Sequence, residues 1–99
     1  MQIKKGAKVN GVKPEILLAL VVADGIYKDL GHELVVTELT GGKHKSGSSH
    51  YVGLGADLRT RYFDDRGVAA AKILSHKLGD EYDVILEETH IHIQYKPKV

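Results

Sequence analysis

Apolar residues recur along this chain in a few distinct rhythms, and each rhythm predicts an element. From Pro14 to Leu30 apolar side chains surround most of a helical axis. Pro14 suits the first helical turn and Gly31 the position just past the last, so the segment predicts a helix packed against a sheet. Val35, Val36 and Thr37 predict a strand within Glu33 to Leu39, and Gly55 to Thr60 predicts a second. Between Asp64 and Leu78 the spacing of Val68, Ala71, Leu74 and Leu78 is helical. Ala70 and Ile73 widen the expected buried face, and Gly79 ends the helix. Tyr82 to Glu87 and His90 to Tyr95 read as two consecutive strands or one bent strand before Pro97. Residues 1–12 are polar and basic, a lead-in loop with room for a short edge strand at Gln2 to Lys5. The order predicts an α+β fold, a small, largely antiparallel sheet with two main helices.

The polar, glycine-rich stretch from Thr40 to Ser49 is long for a chain of 99 residues. Loops of that length are often functional. The whole length, 1–99, fits one domain near the lower end of what a single core stabilises, where a bound metal adds useful folding free energy.

Composition narrows the chemistry. The chain is 42% hydrophobic and 27% charged, which is ordinary for a globular domain. Fourteen Lys and Arg against 13 Asp and Glu leave a net charge of +1, too little for the broad basic field of a nucleic-acid binder. The apolar run Ile16 to Ala23 is far shorter than the roughly 20 residues that span a bilayer, so no membrane insertion is expected. Pro14 and Glu15 abut that run and no A-x-A site follows it, so a signal peptide is not expected either. There are no cysteines, which restricts any metal site to His and carboxylate ligands.

Six histidines are present, and four fall into two groups, His44 with His50 and His90 with His92. His32 and His76 have no acidic partner in a motif and are expected to be structural or solvent-exposed. Neutral imidazoles near a carboxylate such as Asp57 make the nitrogen and oxygen donor set that zinc prefers, and three protein ligands leave the fourth position open. Gly53 and Gly55 lie between His50 and Asp57 and permit a tight backbone path that brings both side chains to one point. In Glu87-Glu88-Thr89-His90-Ile91-His92-Ile93 the period of two gives His90 and His92 one face and Ile91 and Ile93 the other. Both histidines are then candidate ligands, or one binds metal while its neighbour contacts substrate.

Ser48, His50, Gly53 and Asp57 fit the Ser-x-His-x-x-Gly-x-Ala-x-Asp pattern, and His90-Ile91-His92 supplies the later His-x-His. In these residues the chain resembles the zinc D-alanyl-D-alanine carboxypeptidase and L-alanyl-D-glutamate peptidase family and the related hedgehog signalling domain. The likeness runs from about Val35 to Tyr95 and is greatest to small phage-encoded members. Gly55 departs from it, standing where the family usually has Ala, and so does Thr89, at a position often acidic.

The resemblance implies that His50, Asp57 and His92 ligate zinc and that His90 contacts the substrate or transition state. It makes an acid shortly before the last ligand the general base toward water. Glu87 is the residue favoured by the resemblance, whereas simple alternation puts Glu88 on the face of His90 and His92; a bulge or turn at Thr89 reconciles the two. His44 is expected to donate to the developing oxyanion. Lys43, Lys45 and Arg59 are candidates for a substrate carboxylate, with Arg61 a further one; the arginines' alternative is a surface ion pair worth about 0 to 1 kcal/mol.

The expected activity is that of a zinc metallopeptidase, a hydrolase of D-Ala-D-Ala carboxypeptidase or L-Ala-D-Glu endopeptidase type acting on the peptides of bacterial peptidoglycan. A monomer is expected, made in the cytoplasm and reaching the cell wall after release, as a bacteriophage endolysin does, or with a virion. The alternative is a hedgehog-like binding module that keeps zinc without hydrolysis.

Overall fold

A computed structural model of the protein describes residues 1–40 and 53–97. Its elements run β1 (Gln2–Ile3), α1 (Pro14–Asp29), β2 (Val35–Glu38), β3 (Gly55–Arg59), α2 (Val68–Leu78), β4 (Tyr82–Leu86) and β5 (His90–Tyr95). The strands form one sheet in the order β1-β2-β3-β5-β4. Only the β1-β2 pair is parallel. The expected α+β fold with two helices and a largely antiparallel sheet is what forms.

One face of the sheet carries the core. Ala56 and Leu58 of β3 and Ile91 and Ile93 of β5 point the same way and are fully buried with Val36 of β2. On that face α1 lies against α2 and β5, while α2 lies against α1 and β4. Helix α1 contributes Ile16, Ala19, Leu20, Ala23, Ile26 and Tyr27, whose three- and four-residue steps make one stripe. It is therefore covered on one side, not around most of its axis, and Leu17, Leu18 and Val21 are exposed. In α2 the buried residues are Ala70 and Leu74; Val68 and Ile73, expected inside, are 40% and 37% exposed.

Helix α2 also starts four residues later than its periodicity suggests. Arg66 and Gly67 both adopt positive φ, 59° and 94°, which no α-helix continues. Asp65 takes over the capping, its carboxylate accepting the N–H groups of Gly67 and Ala69 at 2.9 Å each. Position 67 admits only glycine, since a Cβ there would stand 2.7 Å from Thr60 Cγ2. The turn is thus packed onto the end of β3.

Candidate metal centre on the sheet face away from the helices

Residues that alternate with the core positions share the opposite face, where neither helix packs. The β3-β5 register sets Asp57 opposite His92, Arg59 opposite His90 and Gly55 opposite Gln94. The β4-β5 register adds Ile85 opposite His92 and Asp83 opposite Gln94. Opposed residues of antiparallel strands point to the same side. Asp57, Arg59, His90, His92, Gln94 and Asp83 therefore form one polar field.

At its centre Asp57, itself buried, places Oδ1 2.8 Å from His92 Nδ1 and 3.7 Å from His90 Nε2. The other nitrogen of His92, Nε2, lies 3.2 Å from Gln94 Oε1. Gln94 is oriented in turn, because its amide nitrogen donates to Asp83 Oδ2 at 2.8 Å and a carboxylate only accepts. The chain Asp83–Gln94–His92 thus keeps a proton on Nε2 and turns Nδ1 toward Asp57. His92 faces acceptors on both sides. The hydrogen bond to Asp57 holds its pKa above the ordinary value against the opposing effect of burial; Gln94 and the charges of Asp57 and Glu87 act in the same direction as that bond.

Such a ring either carries a second proton on Nδ1 or presents that nitrogen's lone pair to a cation shared with Asp57. The donor set suits zinc: one carboxylate, one imidazole fixed in the tautomer that frees Nδ1, and a carbonyl acceptor behind it. The 2.8 Å between Asp57 Oδ1 and His92 Nδ1 is a hydrogen-bond distance, shorter than the roughly 3.4 Å between two donors on one tetrahedral ion with bonds of about 2.1 Å, so sharing an ion requires the two side chains to part slightly and Nδ1 to be free of its proton. Among the described residues no three His, Asp or Glu donors converge as a metal-binding group. His50, the remaining expected ligand, lies outside the described residues, as do His44, Lys43 and Lys45.

The hairpin between β4 and β5 bears on the two acids. Leu86 is opposite Ile91, and the Glu87 N–H donates to the His90 carbonyl at 2.8 Å, so the chain reverses through Glu88 and Thr89. Continuing the ladder sets Glu87 opposite His90 and hence on the face of His90 and His92. The turn at Thr89 removes the conflict between strand alternation and the choice of Glu87. Thr89 Oγ1 sits 3.0 Å from His90 Nδ1, a position from which it orients the ring despite lacking an acid's charge. Glu88 instead lines a cleft with His90.

His32 stacks on Tyr62 with ring centroids 4.9 Å apart and also meets the edge of Phe63, while His76 is exposed. Neither is near the polar field's centre. Sequence reasoning missed Gln94 and Asp83. Gln94 was within reach, as the third member of the His90, His92, Gln94 alternation; Asp83 depends on the register of β4, which no motif marks. Gly53 has φ +78°, and its carbonyl accepts the Lys13 N–H at 3.0 Å. A Cβ there would run into the Gly11 carbonyl, so this motif glycine is required by the lead-in segment lying against it.

No protein-family model matches the chain, and no curated protein matches it. Among the described residues no helix is long and apolar enough to cross a membrane.

Proposed function

We propose that this protein is a zinc-dependent peptidase that hydrolyses peptide bonds of bacterial peptidoglycan, with His50, Asp57 and His92 as the metal ligands. The observation that carries the reading is the Asp57–His92 pair on the sheet face away from both helices, with Nε2 of His92 tied to Gln94 and Nδ1 turned to the carboxylate. When bound there, zinc supplies Lewis acidity toward a peptide carbonyl and toward water.

The remaining roles fall to side chains around the pair. Glu87, opposite His90 across the hairpin, is the general base that takes a proton from the attacking water and returns it to the departing amine. His90, whose Nε2 faces the same carboxylate oxygen as His92, contacts the substrate as the carbonyl becomes tetrahedral. His44 assists there, and Lys43, Lys45 and Arg59 hold a substrate carboxylate. Asp57 and His92 are on neighbouring strands, so their spacing is fixed by the ladder and not by a loop. The proposed setting is a monomer acting on the cell wall after release from the cytoplasm, in the manner of a phage endolysin, or carried there with a virion.

The test is release of new amino termini from purified peptidoglycan by zinc-loaded protein, with Asp57→Ala as the control. Hydrolysis that requires zinc and disappears with Asp57 is expected. No release from either D-Ala-D-Ala or L-Ala-D-Glu linkages by fully zinc-loaded protein would contradict the reading and favour a zinc-holding binding module.

A further inference from the structure

Beside the candidate metal centre a cleft of about 580 Å³ opens between the ends of β2, β3 and β5, and among the described residues its lining carries four cations, Lys4, Arg59, Arg61 and Arg66, against one acid, Glu88. Thr37, Thr60, Thr89 and His90 complete the lining with hydrogen-bonding groups. Among the described residues none of the four cations has a carboxylate within ion-pair distance. This concentration of charge belongs to a chain whose net charge is only +1. Like charges brought together without partners repel, so the arrangement costs free energy unless an anion comes between them.

The fold fixes the backbone position of two of these arginines. Arg59 ends β3 directly opposite His90 and two residues from Asp57, on the same face. Arg66 has φ 59°, a conformation that few non-glycine residues adopt. It persists because Asp65 caps the next turn and Gly67 is wedged against Thr60 on the cleft floor. Arg61 follows β3 immediately. A second hollow of about 220 Å³ shares Lys4 and Thr37 and adds Lys5 and Lys8 with one acid, Glu38, so cations outnumber acids along this edge of the sheet among the described residues.

The geometry points to this cleft as the site that selects an acidic substrate segment, one with two carboxylates close together next to the bond at the metal centre, with Arg61 and Arg66 as the specificity-determining residues. Three guanidinium groups and an ammonium exceed what one carboxylate satisfies, since a single guanidinium already pairs with it through two hydrogen bonds. The His90 wall is common to cleft and metal centre, so a segment in the cleft runs directly to the Asp57–His92 pair. This inference rests on the peptidase reading for its orientation, but the charge selection is measurable as binding alone.

The experiment uses the zinc-loaded protein and two peptides, L-Ala-γ-D-Glu-meso-diaminopimelate, whose carboxylates lie on adjacent residues, and the same peptide with all its carboxylates amidated. Binding is followed by the backbone amide shifts of Thr60, Arg61 and Arg66, and cleavage is followed in parallel. The acidic peptide is expected to bind about ten-fold more tightly than the amidated one and to shift those amides. Arg61→Gln with Arg66→Gln should erase the preference while leaving the amidated peptide's affinity within about two-fold, and the matching lysine variants should restore part of it. Selective binding without cleavage upholds the cleft and counts against the peptidase reading. Cleavage of both peptides with equal affinity upholds the peptidase and overturns the cleft.

Discussion

Asp57 and His92 stand directly opposite each other on adjacent antiparallel strands, with carboxylate oxygen and imidazole Nδ1 2.8 Å apart. Thirty-five residues and a whole helix separate them in sequence, so their meeting is a product of the β3-β5 register. Their pairing fixes what the protein should do as pH and metal are varied.

In zinc-free protein the raised pKa of His92 ties stability to protonation. The folded value lies above the unfolded one, ordinarily about 6.5, so the stabilisation is complete below that pH and is lost as pH rises through the folded value. Urea unfolding at a series of pH values should show zinc-free wild type losing stability over that window. Asp57→Asn should flatten the profile, because the main cause of the shift is gone. Zinc and the Nδ1 proton compete for one lone pair, so zinc affinity should rise across the same window.

Gln94 would act on a metal held by Asp57 and His92 through the His92 ring, whose Nε2 it faces at 3.2 Å. Gln94→Ala removes the acceptor that keeps the proton on Nε2 and should weaken zinc binding by about ten-fold or more while the fold survives. Competition with a chromophoric chelator measures the first effect and far-ultraviolet circular dichroism the second. Asp83→Asn, one bond further out, should have a smaller effect in the same direction.

The two acids of the hairpin should separate cleanly. Glu87→Gln is expected to lower hydrolysis by about 10²- to 10⁴-fold with zinc content unchanged. Glu88→Gln should leave turnover within a few-fold. Turnover numbers with matched zinc analyses decide this, and a reversed order would move the base to Glu88.

Gly53 should tolerate no side chain. Gly53→Ala forces a positive φ and drives a Cβ into the Gly11 carbonyl, which should cost about 1 to 3 kcal/mol. Gly25→Ala, in the exposed middle of α1 with open space at its Cβ, should be neutral or stabilising by up to about 1 kcal/mol. Paired thermal melts compare the two.

What the sequence made legible was whatever depends on local periodicity. The alternation of His90, Ile91, His92 and Ile93 is sufficient to separate a polar face from a core face, and both are observed. The extents of β3 and β5 follow from the same signal to within a residue. Less legible were features set by distant contacts. Val68 and Ile73 have the spacing of buried helical residues, but α2 is covered only along the stripe facing α1 and β4, which Ala70 and Leu74 occupy. Arg66 has no helical or strand signature that marks its left-handed backbone; Asp65 and Gly67 together impose it. Asp83 became part of the site through the β4 register alone.

The central claim concerns the metal, and its most direct measurement is zinc content with the coordination shell read by X-ray absorption on wild type, Asp57→Ala and His92→Ala. The account predicts a single zinc with nitrogen and oxygen ligands in wild type and its loss in both variants. Wild-type protein that binds no zinc, or variants that hold it as tightly with an unchanged shell, would contradict it.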